Sequence, residues 1–150
     1  MATQWTAGTT SGQVLTAATL NTIGAAWVDY TPTLTQTVTV TKTVVQARYC
    51  QFQKTIIGQL LLNVTSGGTV GTAVAIGLPF AVRSGQPMAA FGYIYDASTN
   101  IMYNLTFVPS SGGASTVGGF YQTGFFWGQS PNLALASSDQ IAIQFNYEIA

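Results

Sequence analysis

Charged residues are scarce in this chain. Its 150 residues include four Lys or Arg, four Asp or Glu and no histidine, so that 5% of them are charged. Ordinary soluble domains carry about 25% charged residues. Uncharged polar side chains must therefore wet the surface, and the formal net charge of zero offers little repulsion against association. This combination predicts a subunit of a larger assembly.

The missing histidine and the few carboxylates remove most catalytic chemistry. Histidine is the usual general base near neutral pH. The four carboxylates lie in separate predicted elements, which does not favour the converging pair of a glycosidase, although two subunits could supply one. They are Asp29, Asp96, Asp139 and Glu148. We interpret Asp96 and Asp139 as turn residues, and we expect a protein that is not an enzyme.

Cysteine is almost absent too. Cys50 is alone, which excludes an internal disulfide and a cysteine metal cluster, and its predicted strand favours a buried apolar role. Without histidine a zinc site is excluded, and no Asp-rich loop indicates calcium. We expect neither a cofactor nor a metal.

Long apolar runs and clusters of positive charge are also missing. The basic residues stand singly, unlike those of a nucleic-acid surface, and no run approaches the roughly 18 to 20 residues that span a bilayer. Residues 1–13 lack the charged and apolar regions of a signal peptide. We expect no nucleic-acid partner, no membrane insertion and synthesis in the cytoplasm.

Hydrophobic residues make up 47% of the chain, which predicts folding rather than disorder. The Thr31-Pro32 dipeptide marks the join between two unequal parts, because a residue before proline is pushed toward extended geometry. Residues 1–33 are predicted to form an N-terminal arm, and residues 34–150 a β domain.

The second part is predicted to be β throughout. Alternation of apolar and polar residues is typical of half-buried strands, and polar clusters separate the alternating segments. The predicted strands include 36–45, 56–64, 70–78, a hairpin at 89–96 and 101–108, and 140–149. Lys42 interrupts the apolar face of the first strand and is predicted to mark a sheet edge. About seven or eight such strands favour an antiparallel β-sandwich of jelly-roll type with undetermined strand order.

The arm contains one helical pattern. From residue 16 to 27, Ala17, Leu20, Ile23 and Trp27 recur at spacings of three and four, which predicts a short helix. Two turns are marginal alone, so the helix must be held by another protein or by the chain's own β domain, and we favour another protein.

Aromatic residues are the candidates for recognition. Tyrosine and tryptophan suit both sugar rings and protein interfaces, although core packing is the stronger interpretation for most of them. Exposed loop tips at 96–100 and 110–115 are better placed for binding. The predicted receptor or glycan contacts are Tyr93, Tyr95, Asp96, Asn100, Tyr103, Tyr121 and Trp127.

Three N-terminal segments resemble the leader of small virion proteins of tailed bacteriophages, often called minor tail or fibre proteins. They are WTAG at 5–8, GQVLTAATLN at 12–21 and AWVDYTPTL at 26–34. The resemblance implies an arm docked onto tail, baseplate or capsid proteins and a trimeric β domain on the outside of the particle. The virion-anchoring residues would be Trp5, Val14, Leu15, Leu20, Ile23 and Trp27.

Two functions fit this reading. The favoured one is a short trimeric fibre or knob whose β domain adheres to host-surface glycan. The alternative is a decoration protein that covers and reinforces the capsid or tail without a dedicated receptor site. An aromatic groove at the tip would favour the first, and a high copy number on a shell lattice would favour the second.

Overall fold

Antiparallel pairing joins all the strands of the described residues into one curled sheet. The computed structural model describes residues 26–85, 88–110, 114–121 and 125–149. The prediction of a mainly β chain is confirmed. In chain order the strands are β1 (Val28–Asp29), β2 (Leu34–Gln36), β3 (Val38–Thr39), β4 (Lys42–Phe52), β5 (Thr55–Val64), β6 (Ala75–Gly77), β7 (Ala89–Asp96), β8 (Ile101–Pro109), β9 (Thr116–Phe120) and β10 (Gln140–Glu148).

The sheet order is β1-β4-β5-β10-β7-β8-β9-β6-β2-β3, and all neighbours are antiparallel. The expected jelly-roll sandwich is not confirmed, because hydrogen bonding runs without a break from β1 to β3. The described residues form one sheet where two were expected.

The core lies on the concave side of the curl. Along β5 and β10 every second residue is buried, as the alternation predicted. β10 is the last strand in the chain, yet it lies inside the sheet between β5 and β7. The central part of the core therefore joins residues that are far apart in sequence. The largest fully buried apolar side chains are Trp127, Phe107, Leu34, Ile56, Leu62, Ile76, Ile94, Leu135, Ile141 and Ile143.

The strand predicted at 36–45 is broken. Thr37 has a positive φ of 66° and forms the tip of a tight hairpin in which Gln36 pairs with Val38. Gln36 is fully buried and Val38 is exposed, so alternation does not continue through the turn. Lys42 begins β4, which in the described residues has a second partner strand only at Arg48 and Tyr49. The position of Lys42 at an open edge agrees with the prediction.

The strand predicted at 70–78 is shorter than expected. Only Ala75–Gly77 pairs, with β9 on one side and β2 on the other. Val74, Ile76 and Leu78 are buried as predicted, whereas Val70 is exposed. The residues before β6 form a loop that packs on Gln36.

The boundary predicted between the arm and the β domain, after residue 33, separates two strands that pair with each other, β1 and β4. Val28 and Asp29, assigned to the arm, pair with Tyr49 and Arg48 of β4. The predicted helix lies outside the described residues except for positions 26 and 27, which are not helical.

Candidate ligand-binding face

A row of aligned side chains crosses the convex side of the sheet, here called the outer face. Gln144 lies between buried Ile143 and Phe145 on β10, so it points away from the core. The cross-strand partners of Gln144, and their partners in turn, extend the row toward both edges of the sheet. From β4 to β9 the row contains Arg48, Gln59, Gln144, Phe91, Thr106 and Phe120.

Phe91 is the most exposed large apolar side chain of this row. It follows the fully buried Ala90 on β7, and strand alternation turns its ring outward, leaving it 63% exposed. A depression of about 340 Å³ lies on one side of it and a second of about 540 Å³ on the other. Phe91 and Gly92 line both depressions.

The first depression is lined by amides and rings. Its lining comprises Gln46, Gln59, Leu60, Phe91, Gly92, Tyr93, Ala142, Ile143 and Gln144. The second lies over β7, β8 and β9. Its lining comprises Phe91, Gly92, Asn104, Leu105, Thr106 and Phe120.

Gly92 is required where the two depressions meet. A Cβ at this position would overlap the backbone oxygen of Ala142 on the neighbouring strand. The close approach of β7 and β10 therefore leaves no room for a side chain there.

Hydrogen bonds organise the amides at one end of the row. Gln59 Nε2 donates to Gln46 Oε1 at 2.8 Å. With the Gln59 amide turned the other way, its oxygen accepts from Arg48 Nε at 3.0 Å and Nη2 at 2.9 Å. The Arg48 guanidinium also lies 4.7 Å from the centroid of the Trp27 ring, within cation–π range. In either amide orientation Gln59 has a neighbouring partner before any ligand arrives.

An aromatic pair supports the other end. The rings of Phe120 and Phe126 have centroids 4.2 Å apart, and the two residues also form an antiparallel bridge. Phe120 is half-buried and lines the second depression.

Among the described residues, those that line the two depressions include no aspartate, glutamate, lysine or arginine. Their amides and hydroxyls can donate and accept hydrogen bonds, and their rings offer flat apolar surface. Such a lining suits an uncharged ligand that is polar at its edges and apolar on its faces. Within the described ranges, no group of three His, Cys, Asp or Glu side chains could hold a metal ion.

The structure places some predicted contacts on the surface. Tyr93 lines the first depression. Tyr95 and Asn100 lie at the hairpin tip, where the tyrosine hydroxyl donates to Asn100 Oδ1 at 2.7 Å. Asn100 is exposed and has a positive φ of 58°. Tyr93 is therefore the predicted contact that lines a depression of the outer face.

Three predicted contacts are corrected, because they are buried. Tyr103 is 8% exposed and Trp127 is 1% exposed, since both point into the core, where their ring centroids are 5.9 Å apart. Tyr121 is half-buried and lies edge-on against Tyr103, with centroids 5.2 Å apart. Asp96 is 5% exposed and accepts hydrogen bonds from Ser98 and Thr99. Asp96, Tyr103 and Trp127 cannot contact a ligand at the surface of the chain.

Both buried aspartates bind turn backbone, in agreement with their interpretation as turn residues. Asp139 accepts from the backbone amides of Ala97 at 2.9 Å and Ala136 at 2.8 Å. Burial raises the pKa of Asp139 and outweighs these hydrogen bonds. Burial would also raise the pKa of Asp96, but its hydrogen bonds from Ser98 and Thr99 outweigh it and the pKa is lowered.

Most predicted anchoring residues lie outside the described residues. They are Trp5, Val14, Leu15, Leu20 and Ile23. Trp27 is described and is 49% exposed beneath the Arg48 guanidinium. Cys50, expected to be buried, is half-buried, because it lies on the outer face of β4 opposite the exposed Ile57.

Sequence reasoning missed several residues of the outer face. Phe91 shares a strand face with Tyr93 and Tyr95, and that alternation was the available signal. The glutamines carried no signal of their own, because the sequence does not reveal that Gln59 and Gln144 are cross-strand partners. Knowing the register of β5, β7 and β10 would have been needed to place them together.

Comparison with protein-family models, curated proteins and solved structures finds no match to this chain. Among the described residues, no helix has the length and apolar character needed to cross a membrane.

Proposed function

We propose that the chain is a structural protein of a tailed-bacteriophage particle whose β domain adheres to host-surface glycan. The N-terminal segments that resemble phage virion leaders support the assignment to a particle. The observation that carries adhesion is the exposed Phe91 ring between two depressions with an uncharged polar lining. A sugar presents hydroxyls at its edges and C–H groups on its faces, which matches amides beside aromatic rings.

The proposal includes a homotrimer anchored through residues 1–33, with a short helix that begins at residue 16 and ends before residue 26. It also includes a sandwich-like closure in which the two ends of the curled sheet cover one core, supported by the continuous cluster of buried side chains. The protein has no catalytic role in this proposal. Its partners are two further copies of itself, other virion proteins and a host glycan, and it lies on the particle exterior.

Adhesion is tested by measuring binding of the purified full chain to a broad glycan array, followed by calorimetry on any hit. We expect a specific glycan to bind, and we expect its calorimetric titration to saturate at a defined number of glycans per protein chain. An array without any hit would overturn the adhesion function.

The anchor and the trimer are tested separately. Sedimentation at micromolar concentration is expected to give a trimer, and a monomer would contradict it. Removal of residues 1–25, which leaves the β1–β4 pairing in place, is expected to prevent incorporation into particles, and unchanged incorporation would contradict the anchor.

A decoration protein is the second candidate, and the spread of exposed apolar side chains favours it. Val45, Phe52, Ile57 and Met102 are each about half exposed and lie outside the two depressions. The formal net charge of zero adds little repulsion against neighbouring subunits that would cover these side chains. Cryo-electron microscopy of intact particles separates the candidates: a few trimers at the tail tip indicate adhesion, and many copies on the capsid lattice indicate decoration.

A further inference from the structure

We propose that the two depressions beside Phe91 are adjoining subsites for one neutral oligosaccharide, with the Phe91 ring between them. This inference rests on the proposed adhesion function and identifies its site and its class of ligand. Phe91 and Gly92 line both depressions, so the two depressions adjoin each other at these residues.

The first depression offers hydrogen bonds in several directions. Gln46, Gln59 and Gln144 bring three amides to its rim, and Tyr93 adds a hydroxyl. Each amide can donate through nitrogen and accept through oxygen, which suits vicinal sugar hydroxyls. Its volume of about 340 Å³ falls at the lower end of the roughly 300 to 1,000 Å³ typical of small-molecule sites.

The second depression repeats this composition with different residues. Asn104 and Thr106 supply the polar groups, and Phe91 and Phe120 supply a ring on each side. A sugar ring seated between them would contact aromatic surface while its hydroxyls reach the amide and the threonine. Both depressions thus fit the same kind of chemical unit.

Length favours an oligosaccharide over a single sugar. The lining residues extend across six neighbouring strands, from β4 to β9. Neighbouring strands lie about 4.8 Å apart, so the site is about 24 Å long. A chain of several sugars running across the strands would cover it.

Charge argues for a neutral ligand. The lining has no cation to pair with a carboxylate, sulfate or phosphate group of a sugar. The nearest cation along the row, Arg48, contacts the Trp27 ring and lies beside Gln59 at the outer end. An anion seated beside Phe91 would lie three strands away from Arg48 and would have no cationic partner.

The test uses the full-length protein, an array of neutral and acidic oligosaccharides, and calorimetry. We expect a neutral oligosaccharide to bind and its constituent monosaccharides to bind at least tenfold more weakly. Phe91→Ala should weaken binding at least about tenfold, because a central aromatic side chain is a typical hot spot. Gln144→Ala should weaken it severalfold. Phe52→Ala removes a comparably exposed ring outside both depressions and should stay within twofold of the wild type.

NMR of the isotope-labelled wild-type protein tests the site without any substitution, so it still decides the question if a variant fails to fold. On titration with the bound glycan, backbone amide shifts should concentrate at Phe91, Gly92 and Gln144. Shifts confined to another face would overturn the subsites.

The outcomes separate the two levels of the proposal. Glycan binding that survives Phe91→Ala and Gln144→Ala unchanged would overturn the subsites and leave adhesion standing. Exclusive binding of acidic glycans would overturn the neutral ligand. No binding to any glycan would overturn the adhesion function itself, and the subsites with it.

Discussion

Gln36 Oε1 accepts a hydrogen bond from the backbone amide of Leu135 at 2.8 Å in the interior of the protein. The same side chain donates through Nε2 to the carbonyls of Thr72 at 3.0 Å and Leu133 at 2.8 Å. Gln36 is fully buried, and all three contacts are with backbone that lies far away in sequence. One amide therefore joins the end of β2 to two loops that have few strand hydrogen bonds of their own.

Replacing this amide should be costly. Gln36→Leu removes three hydrogen bonds and leaves the Leu135 amide and two carbonyls without their partner. We expect a loss of about 2 to 4 kcal/mol in the free energy of unfolding, because a buried polar group without a partner typically costs 1 to 3 kcal/mol. Urea unfolding measures it. Gln129→Leu changes an exposed glutamine and is expected to stay within about 0.5 kcal/mol. Equal effects of the two substitutions would contradict the role of Gln36.

Two glycines should respond differently to the same added methyl group. A Cβ on Gly58 of β5 would overlap the Phe145 ring, whereas a Cβ on Gly67 would lie 3.7 Å from the nearest atom, the Leu135 carbonyl oxygen. Gly58→Ala is expected to lose about 1 to 3 kcal/mol through overpacking. Gly67→Ala should be neutral or slightly stabilising. Thermal unfolding of the pair checks this, and similar melting temperatures for both variants would contradict it.

Asp96 should make the fold sensitive to acid. Hydrogen bonds from Ser98 and Thr99 outweigh burial and lower the pKa of its carboxyl. The ionised form therefore stabilises the fold above the unfolded pKa of about 3.9, and this contribution is lost as the pH falls through the folded value. Asp96→Asn should be less stable than the wild type at neutral pH and should lose less stability in acid.

The measurement is urea unfolding between about pH 7 and about pH 2. Asp29→Asn, at an exposed carboxylate, controls for the removal of one charge. Asp139 acts in the opposite direction, because its raised pKa favours the protonated form in the fold. Burial, the main cause of that raised pKa, remains in Asp96→Asn, whereas the smaller contribution from the Asp96 charge is removed. The remaining Asp139 contribution should still oppose the loss of stability in acid. Parallel curves for the wild type and Asp96→Asn would contradict the prediction.

Tyr147 should govern part of the alkaline stability. Its hydroxyl donates to the Phe80 carbonyl at 2.9 Å and accepts from the Phe80 amide at 3.3 Å. Burial raises the pKa of Tyr147 to about 12, despite the opposing backbone hydrogen bond. An unfolded tyrosine has a pKa of about 10, so stability is present below that pH and is lost as the pH rises toward 12.

Tyr147→Phe is expected to cost about 1 to 2 kcal/mol at neutral pH, because both hydrogen bonds disappear. It should also lose less stability than the wild type between about pH 10 and about pH 12. Part of the alkaline loss should remain, because burial also raises the pKa of Tyr30. Tyr95→Phe, which removes a half-buried phenol at the hairpin tip, is the matched control. Identical alkaline slopes for the wild type and Tyr147→Phe would contradict the prediction.

The local pattern of side chains was sufficient to predict several strands and their buried faces. β5 and β10 alternate clearly, and the structure buries the predicted residues of both strands. The hairpin of β7 and β8 was predicted from the polar turn residues between its two strands. The turn carboxylates Asp96 and Asp139 were also identifiable, because their neighbours are typical turn formers. These features depend on residues close together in the chain, where a period of two is readable without knowledge of any partner.

Positions that depend on distant partners were predicted poorly. The strand expected at 36–45 breaks at Thr37, since Gln36 is held by backbone at Thr72 and Leu133. Tyr103 and Trp127 were candidates for the surface and are core residues. Alternation shows which residues of a strand share a face. Where both faces carry apolar residues, it does not show which of the two is buried.

The sequence by itself determined that this chain is mainly β, poor in charge and rich in uncharged polar surface. Only the tertiary structure decided that β10 lies between β5 and β7, which aligns Gln59, Gln144 and Phe91 in one row. The physical reason is that strand register is set by packing and hydrogen bonding between segments far apart in the chain, and a period of two leaves those pairings open.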